Sequence, residues 1–278
     1  MQANQSPFIN RQRMTRVLAV WFALTGLFIL VSFAARGRGS QEKSQIKLSV
    51  ESGRPVAEAI LKLEAKYGWV ITYEDPRYVH DSDIADVTLS VRKDLDKYKP
   101  GEAPKVLVPR GGVLEFTYDV VPDTNLPAYP ARVVQQLLDA QAARSNGGRF
   151  RLETSGQFMH VIPTMIKNSE GSLAPQEPVF DTIISLPAVE RSVYDKLKSI
   201  CAAVTQSTGI PIDLGTIPDN WLRRERDQQG ATRQRARDVL VSTFETMDYG
   251  TKLSWRLLYG PREKRYALNI RYVQKHGG

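Results

Sequence analysis

Cysteine is nearly absent from this chain. Cys201 is the only one among 278 residues, so an intramolecular disulfide is impossible and a thiolate zinc site is excluded. Its place on the apolar face of an expected helix marks it as an inert buried thiol. Histidine is scarce as well: His80, His160 and His276 stand far apart, none at metal-ligand spacing, and each reads as a solvated or hydrogen-bonded ring. The sequence contains neither a nucleophile-elbow nor a phosphate-loop pattern, and Gly111-Gly112 and Gly147-Gly148 are turn glycines. No cofactor or metal is expected, and nothing favours an enzyme. The formal charge of +8 is a mild excess, enough to favour anionic surfaces and too small to imply nucleic acid. A hydrophobic fraction of 42% is ordinary for folded protein, which excludes disorder throughout.

Acidic residues are missing from the first 35 positions, where Arg11, Arg13 and Arg16 lead into the uninterrupted apolar run Val17 to Ala35. This is an export element, and two fates are open to it. A secretory signal has an apolar core of roughly 7 to 15 residues and a spanning helix needs roughly 17 to 25. The run has spanning length, yet Ser32-Phe33-Ala34-Ala35 offers small residues for cleavage after Ala34. Residues 1–35 are therefore a signal peptide or an N-terminal membrane anchor, with everything beyond Ala35 translocated.

Residues 36–45 are polar and aperiodic and form a linker. Residues 46–162 read as a first α+β module. Ile46 to Val50 alternates as a strand, and Ser52-Gly53-Arg54-Pro55 caps a helix whose stripe is Val56, Ile60, Leu63 and Tyr67. Gly68 stops that helix, and Trp69 to Tyr73 is a strand. A long excursion then contains one short strand, Val87 to Val91, before Leu114 to Val120 returns to the sheet. A second helix begins at Pro130 with Val133, Val134, Leu137 and Leu138 on one face, and a hairpin of Arg149 to Glu153 and Phe158 to Ile162 closes the module. Residues 163–178 carry three prolines and no periodicity, so they are the expected interdomain linker and first protease target.

Residues 179–273 repeat the scheme as a second module, with a tail at 274–278. Phe180 to Leu186 is the strand, and Val193, Leu197, Ile200, Cys201 and Val204 face one side of a helix that Gly209 ends before the strand Ile210 to Leu214. A helix capped by Thr232 carries Val239, Leu240, Thr243, Phe244 and Met247 and stops at Gly250. In the final hairpin Leu253, Trp255, Leu257 and Tyr259 alternate on one strand and Tyr266, Leu268, Ile270 and Tyr272 on the other. Trp255 should be buried, and Arg256, on the opposite face, should be nearly neutral on truncation. The fold class is α+β: two small tandem modules, each with two helices packed on a short mixed sheet ending in a β-hairpin.

The order strand, helix headed by Arg54-Pro55-Val56 with Ile60-Leu61 inside, stop glycine, strand resembles the short N-terminal (STN) domain shared by secretins and TonB-dependent outer-membrane transducers. Ala231-Thr232 with Ala236-Arg237-Asp238-Val239-Leu240 resembles the second helix of such secretin modules. The likeness covers most of residues 46 to 273 as two copies, with no pore segment or barrel following. It implies a periplasmic unit, tethered to the inner membrane through Val17 to Ala35, that binds an envelope protein or associates with itself, and it brings no catalytic residues. A more distant likeness is to single-stranded RNA-binding KH modules, but their Gly-x-x-Gly clamp is missing.

Two stretches carry charge worth weighing. Tyr73-Glu74-Asp75-Pro76 places adjacent carboxylates after a strand, which suits acid/base work but also ordinary Asp-Pro turn chemistry, the reading favoured here. Arg223, Arg224, Arg226, Arg233, Arg235 and Arg237 form either an anion-contacting edge or a solvated face offset by Glu225, Asp227 and Asp238. The expected function is a non-catalytic interaction or assembly module acting through exposed sheet edges. The alternative is a binder of an anionic envelope ligand, a lipid head group or cell-wall polymer, through the arginine stretch. An envelope hydrolase is the weaker third reading.

Overall fold

Proline, glycine and alternation set the first elements. In the computed structural model, which describes residues 44–122, 124, 126–247 and 252–274, strand β1 (Ser44–Ser52) buries Leu48 and Val50 and exposes the residues between them. Helix α1 (Pro55–Tyr67) starts with Pro55, whose fixed φ suits a first turn, and buries Val56, Ala59, Ile60 and Leu63. It ends where Gly68 turns left-handed at φ 69 and its N–H bonds the Glu64 carbonyl at 2.8 Å. Strand β2 (Val70–Glu74) is buried at every residue. The export segment Val17 to Ala35, most of the linker at 36–45, the Gly250 stop and most of the tail at 274–278, with His276, lie outside the described residues. No described helix is long and apolar enough to cross a membrane.

The excursion holds a 3-10 turn at Asp81–Asp83, β3 (Ile84–Asp86), α2 (Thr88–Val91), a second 3-10 turn at Leu95–Lys97 and β4 (Leu107–Pro109), which pairs with β3. The strand expected over Val87 to Val91 is thus a helical turn. The Asp86 carboxylate accepts the Thr88 N–H at 3.0 Å and starts it, and the alternating apolar residues meet no sheet, Leu89 being left 84% exposed. Strand β5 (Gly112–Val120) runs antiparallel to β1 along its whole length, and α3 (Pro130–Ala142) buries Val133, Val134, Leu137 and Leu138. The hairpin of β6 (Arg149–Ser155) and β7 (Phe158–Lys167) closes through Gly156, whose φ of 54 favours glycine.

Residues 163–178, expected to form an aperiodic linker, include the end of β7 and β8 (Leu173–Pro175), which pairs back onto it from Met165 to Lys167. Prolines survive at such positions because Pro163 follows a register shift and Pro175 ends an edge strand. The strand expected to run from Phe180 starts later. Val179–Asp181 is a 3-10 turn that buries Phe180, and β9 covers only Ile183–Leu186.

A two-residue β10 (Arg191–Ser192) leads into α4 (Val193–Thr208), where the Ser192 hydroxyl accepts the Asp195 N–H. Gly209 ends α4 at φ 71, and β11 (Ile212–Leu214), α5 (Asp219–Leu222), β12 (Arg226–Asp227) and β13 (Ala231–Arg235) follow. Thr232 does not cap the next helix: it lies in β13, and α6 (Ala236–Glu245) begins at Arg235 without a side-chain cap. Strands β14 (Lys252–Gly260) and β15 (Arg265–Val273) form the expected hairpin, with Trp255 opposite Ile270 and Leu257 opposite Leu268.

Strand pairing gives an α+β architecture. β1 pairs β5, and β9 pairs β13, each as an antiparallel two-stranded ribbon. The main sheet runs β11-β15-β14-β2-β7-β6, with β8 beside β7, and β2 lies parallel to both of its neighbours. This sheet separates two cores. Ile71, Tyr73, Met159 and Val161 join α1 and α3 in one; Val70, Phe158, Trp255 and Leu257 join α4 and α6 in the other. Alternate side chains of a strand leave on opposite faces, and both faces of β2 are covered, so every residue of it is buried, Thr72 and Glu74 included. The described residues hold together as one compact unit.

Candidate functional site

The most concentrated chemistry lies where β2 meets β14. The strands pair through Arg256 opposite Tyr73 and Leu257 opposite Glu74, and the Asp75 N–H continues the ladder to the Leu257 carbonyl at 2.8 Å. Glu74 and Asp75 are fully buried. One Asp75 oxygen accepts the Tyr73 hydroxyl at 2.7 Å; the other accepts Arg54 Nε at 2.6 Å and the Tyr259 N–H at 2.9 Å. Arg54 also donates to the Tyr259 carbonyl, and the Tyr266 hydroxyl to the Asp75 carbonyl. On the other face of β2, Glu74 accepts the Val179 N–H and Arg237 Nη2, the latter at 2.8 Å, while Arg237 Nε reaches Asp181 at 3.0 Å. A third pair joins Arg256 of β14 to Glu64 of α1 at 2.8 Å.

The adjacent carboxylates therefore do not form the Asp-Pro turn expected of them, and both are held inside the fold. Their acceptor positions face arginines, a phenol and backbone amides, and neither is open to solvent, so the arrangement carries structural charge and offers a substrate nothing to reach. Burial pushes the Glu74 and Glu64 carboxyls above their ordinary value against the pull of Arg237 and Arg256. It pushes Arg256 down to about 10 and raises the phenols of Tyr73, Tyr78 and Tyr266 well above normal.

His160 is also buried in the sheet, where Nδ1 meets the Thr72 hydroxyl at 2.8 Å and the ring lies flat over Phe158. Burial lowers it to about 4, so it is neutral at physiological pH. Its Nε2 has no hydrogen-bond partner. Cys201 is buried on α4 and burial raises its thiol to about 12, which makes it inert. Among the described residues no group of histidine, cysteine or carboxylate side chains is placed to hold a metal ion.

The six arginines of the proposed anion edge are dispersed. Arg237 is 1% exposed and bound to carboxylates, so it is removed from any surface role. Arg235 is clamped by Glu153 at 2.8 Å and Asp238 at 2.9 Å. Arg223 pairs with Asp219 and covers the Tyr194 ring at 3.6 Å. Arg224, Arg226 and Arg233 are exposed on separate elements, Arg233 with a left-handed φ of 50 beside the irregularity in β13. Sequence reading missed Arg54, Glu64 and Arg256 because their partners lie up to 205 positions away. The one available signal was Leu258, an apolar residue on the face of β14 expected to be polar.

Among the described residues the main sheet ends in two free edges, the three-residue β11 and the seven-residue β6. No family model, curated protein or solved structure matches this chain.

Proposed function

We propose that residues 46–273 are two tandem copies of a small α+β module resembling the STN domain, joined through the main sheet, and that the chain acts as a non-catalytic interaction or assembly unit of the bacterial envelope. The observation that supports this reading is the repeated connectivity. In the first half the order is β1, α1, β2, β5, α3, β6, β7, with β1 on β5 and the sheet β2-β7-β6. In the second it is β9, α4, β11, β13, α6, β14, β15, with β9 on β13 and the sheet β11-β15-β14. Each copy has one parallel and one antiparallel pairing in its three-stranded sheet, and a left-handed glycine closes its first helix, Gly68 and Gly209. Export by the Val17 to Ala35 segment, with periplasmic display from the inner membrane, completes the proposal.

A partner strand would add to β6, the longer free edge of the sheet. Its edge offers amides and carbonyls that no described strand uses, so recognition would rest on main-chain hydrogen bonds. Ser155 pairs with Phe158 across the two-residue loop as a hydrogen-bonded pair, so the N–H of Thr154, one pairing further on, points away from β7. Affinity capture of the full chain from detergent-solubilised envelopes tests the reading. A specific envelope protein should be retained at high salt and lost with Thr154→Pro, in a variant whose circular dichroism is unchanged. Capture that collapses with salt and ignores Thr154→Pro would favour the anionic-ligand alternative.

A further inference from the structure

One face of β14 and β15 is turned away from their own helices and is only partly covered by α1. There Arg256, Leu258, Asn269 and Arg271 floor a groove of about 550 Å³, walled by Glu64 and Ala65 of α1 on one side and by 216–218 on the other. That size is within the roughly 300 to 1,000 Å³ of small-molecule sites. Its charge is unbalanced, because Glu64 is the only carboxylate among the lining residues and faces two guanidinium groups. Arg256 takes Glu64 at 2.8 Å; Arg271 Nε is 4.0 Å from the same oxygen, beyond hydrogen-bonding range.

The Nε–H groups of both arginines are buried and have no hydrogen-bond partner. The Arg256 side chain is 8% exposed and that of Arg271 42%, so one is fixed in the wall while the other presents free nitrogens at the mouth. A buried N–H donor without a partner is costly, and an anion at the exposed end of Arg271 adds charge-assisted hydrogen bonds where one carboxylate serves two guanidinium groups. Asn269 is held in the floor, its Oδ1 accepting the Thr216 N–H at 2.8 Å and its Nδ2 donating one of two hydrogens to the Ala267 carbonyl at 3.1 Å. Ile217, Leu258 and Tyr272 supply the apolar remainder of the lining.

We propose that this groove is a binding site for a small soluble anion with an apolar body, whose carboxylate or phosphate sits against Arg271 and Arg256 while the apolar part covers Leu258 and Ile217. The site does not rest on the tandem-module reading, and it is separate from the six arginines of residues 223–237.

Titration calorimetry on the full chain in detergent below its interfering range, with hexanoate, hexyl phosphate and inorganic phosphate as separate probes, tests it. Hexanoate or hexyl phosphate should bind measurably at millimolar concentration, and more tightly than inorganic phosphate. Arg271→Gln, which removes an exposed side chain from the mouth, should weaken that binding about tenfold or more, the scale of a lost charge-assisted contact. Arg265→Gln, an exposed arginine paired with Asp213 outside the groove, should leave it unchanged. No heat with any probe, equal binding to wild type and Arg271→Gln, or inorganic phosphate binding as tightly as hexyl phosphate would overturn the proposal. So would Arg271-dependent pelleting on phosphatidylglycerol vesicles without saturation by the soluble probes, which would make the site a membrane contact.

Discussion

Arg256 and Trp255 are neighbours on one strand, and together they show how a residue's face decides its energetics. Trp255 is fully buried between Phe158 and Phe244, with ring centroids 5.8 Å away in each case. Truncating an aromatic of this size costs about 3 to 5 kcal/mol, so Trp255→Ala should lower the denaturation midpoint strongly. Sequence alternation placed Trp255 correctly and predicted a neutral Arg256. The structure reverses the second half of that expectation, because the opposite face of β14 is covered by α1 and Arg256 neutralises the 2% exposed Glu64. Arg256→Ala should cost about 3 to 5 kcal/mol by stranding a buried carboxylate, whereas replacing both members by apolar residues should cost much less. Denaturant titration of the two single variants and Glu64→Leu/Arg256→Met checks this through the sign of the coupling.

His160 supplies a pH dependence at the same scale. Its folded value of about 4 lies below the unfolded value near 6.5, so the unfolded chain binds the extra proton between them. The stability contributed by keeping this ring neutral is full above about pH 6.5 and is lost as pH falls toward 4, by up to about 3 kcal/mol. In His160→Gln that share of the acid sensitivity should vanish. An unchanged slope of stability against pH between 6.5 and 4 would show that the buried ring does not set it.

At the level of elements, what was legible in the sequence was whatever a strong local pattern wrote there. Helices α1, α3, α4 and α6 follow apolar stripes, and the β14–β15 hairpin follows a strict alternation on both strands. Elements specified by neighbours were not legible. Val87 to Val91 alternates like a strand but has no sheet to join, and Asp86 bends it into a turn. Leu173 to Pro175 has no pattern of its own yet pairs because β7 runs on past the position where β2 ends. Proteolysis should follow the structure here. Residues 163–178, held by β8 and by the Gln176 side chain on the Arg77 N–H, should resist trypsin, while Lys93, Lys97, Lys99 and Lys105 in the excursion should be cut first. Early cleavage at Lys167 would contradict this.

For the whole molecule, carboxylate and arginine pairs tie residues 44–162 to residues 179–273. The direct β14–β2 ladder is short, and two buried pairs cross beside it, Arg237 with Glu74 and Arg256 with Glu64, while Arg54, held by Asp75 on its own side, donates across to the Tyr259 carbonyl. None of these partners is identifiable from sequence, since charge alone does not say which carboxylate an arginine meets across the fold. Such pairs contribute little net stability over an apolar seam but make separation expensive, because each half alone would expose an apolar sheet face and strand its charges. A unit of this kind would present β6, β11 and the Arg256–Arg271 groove in fixed relation.

Hydrogen exchange during equilibrium denaturation of the full chain tests that union most directly. The account predicts that amides of β2 and β14 lose protection together, at one denaturant midpoint shared with α1 and α4. Protection lost in residues 179–273 at a separate midpoint, with β2 and β7 still protected, would contradict it.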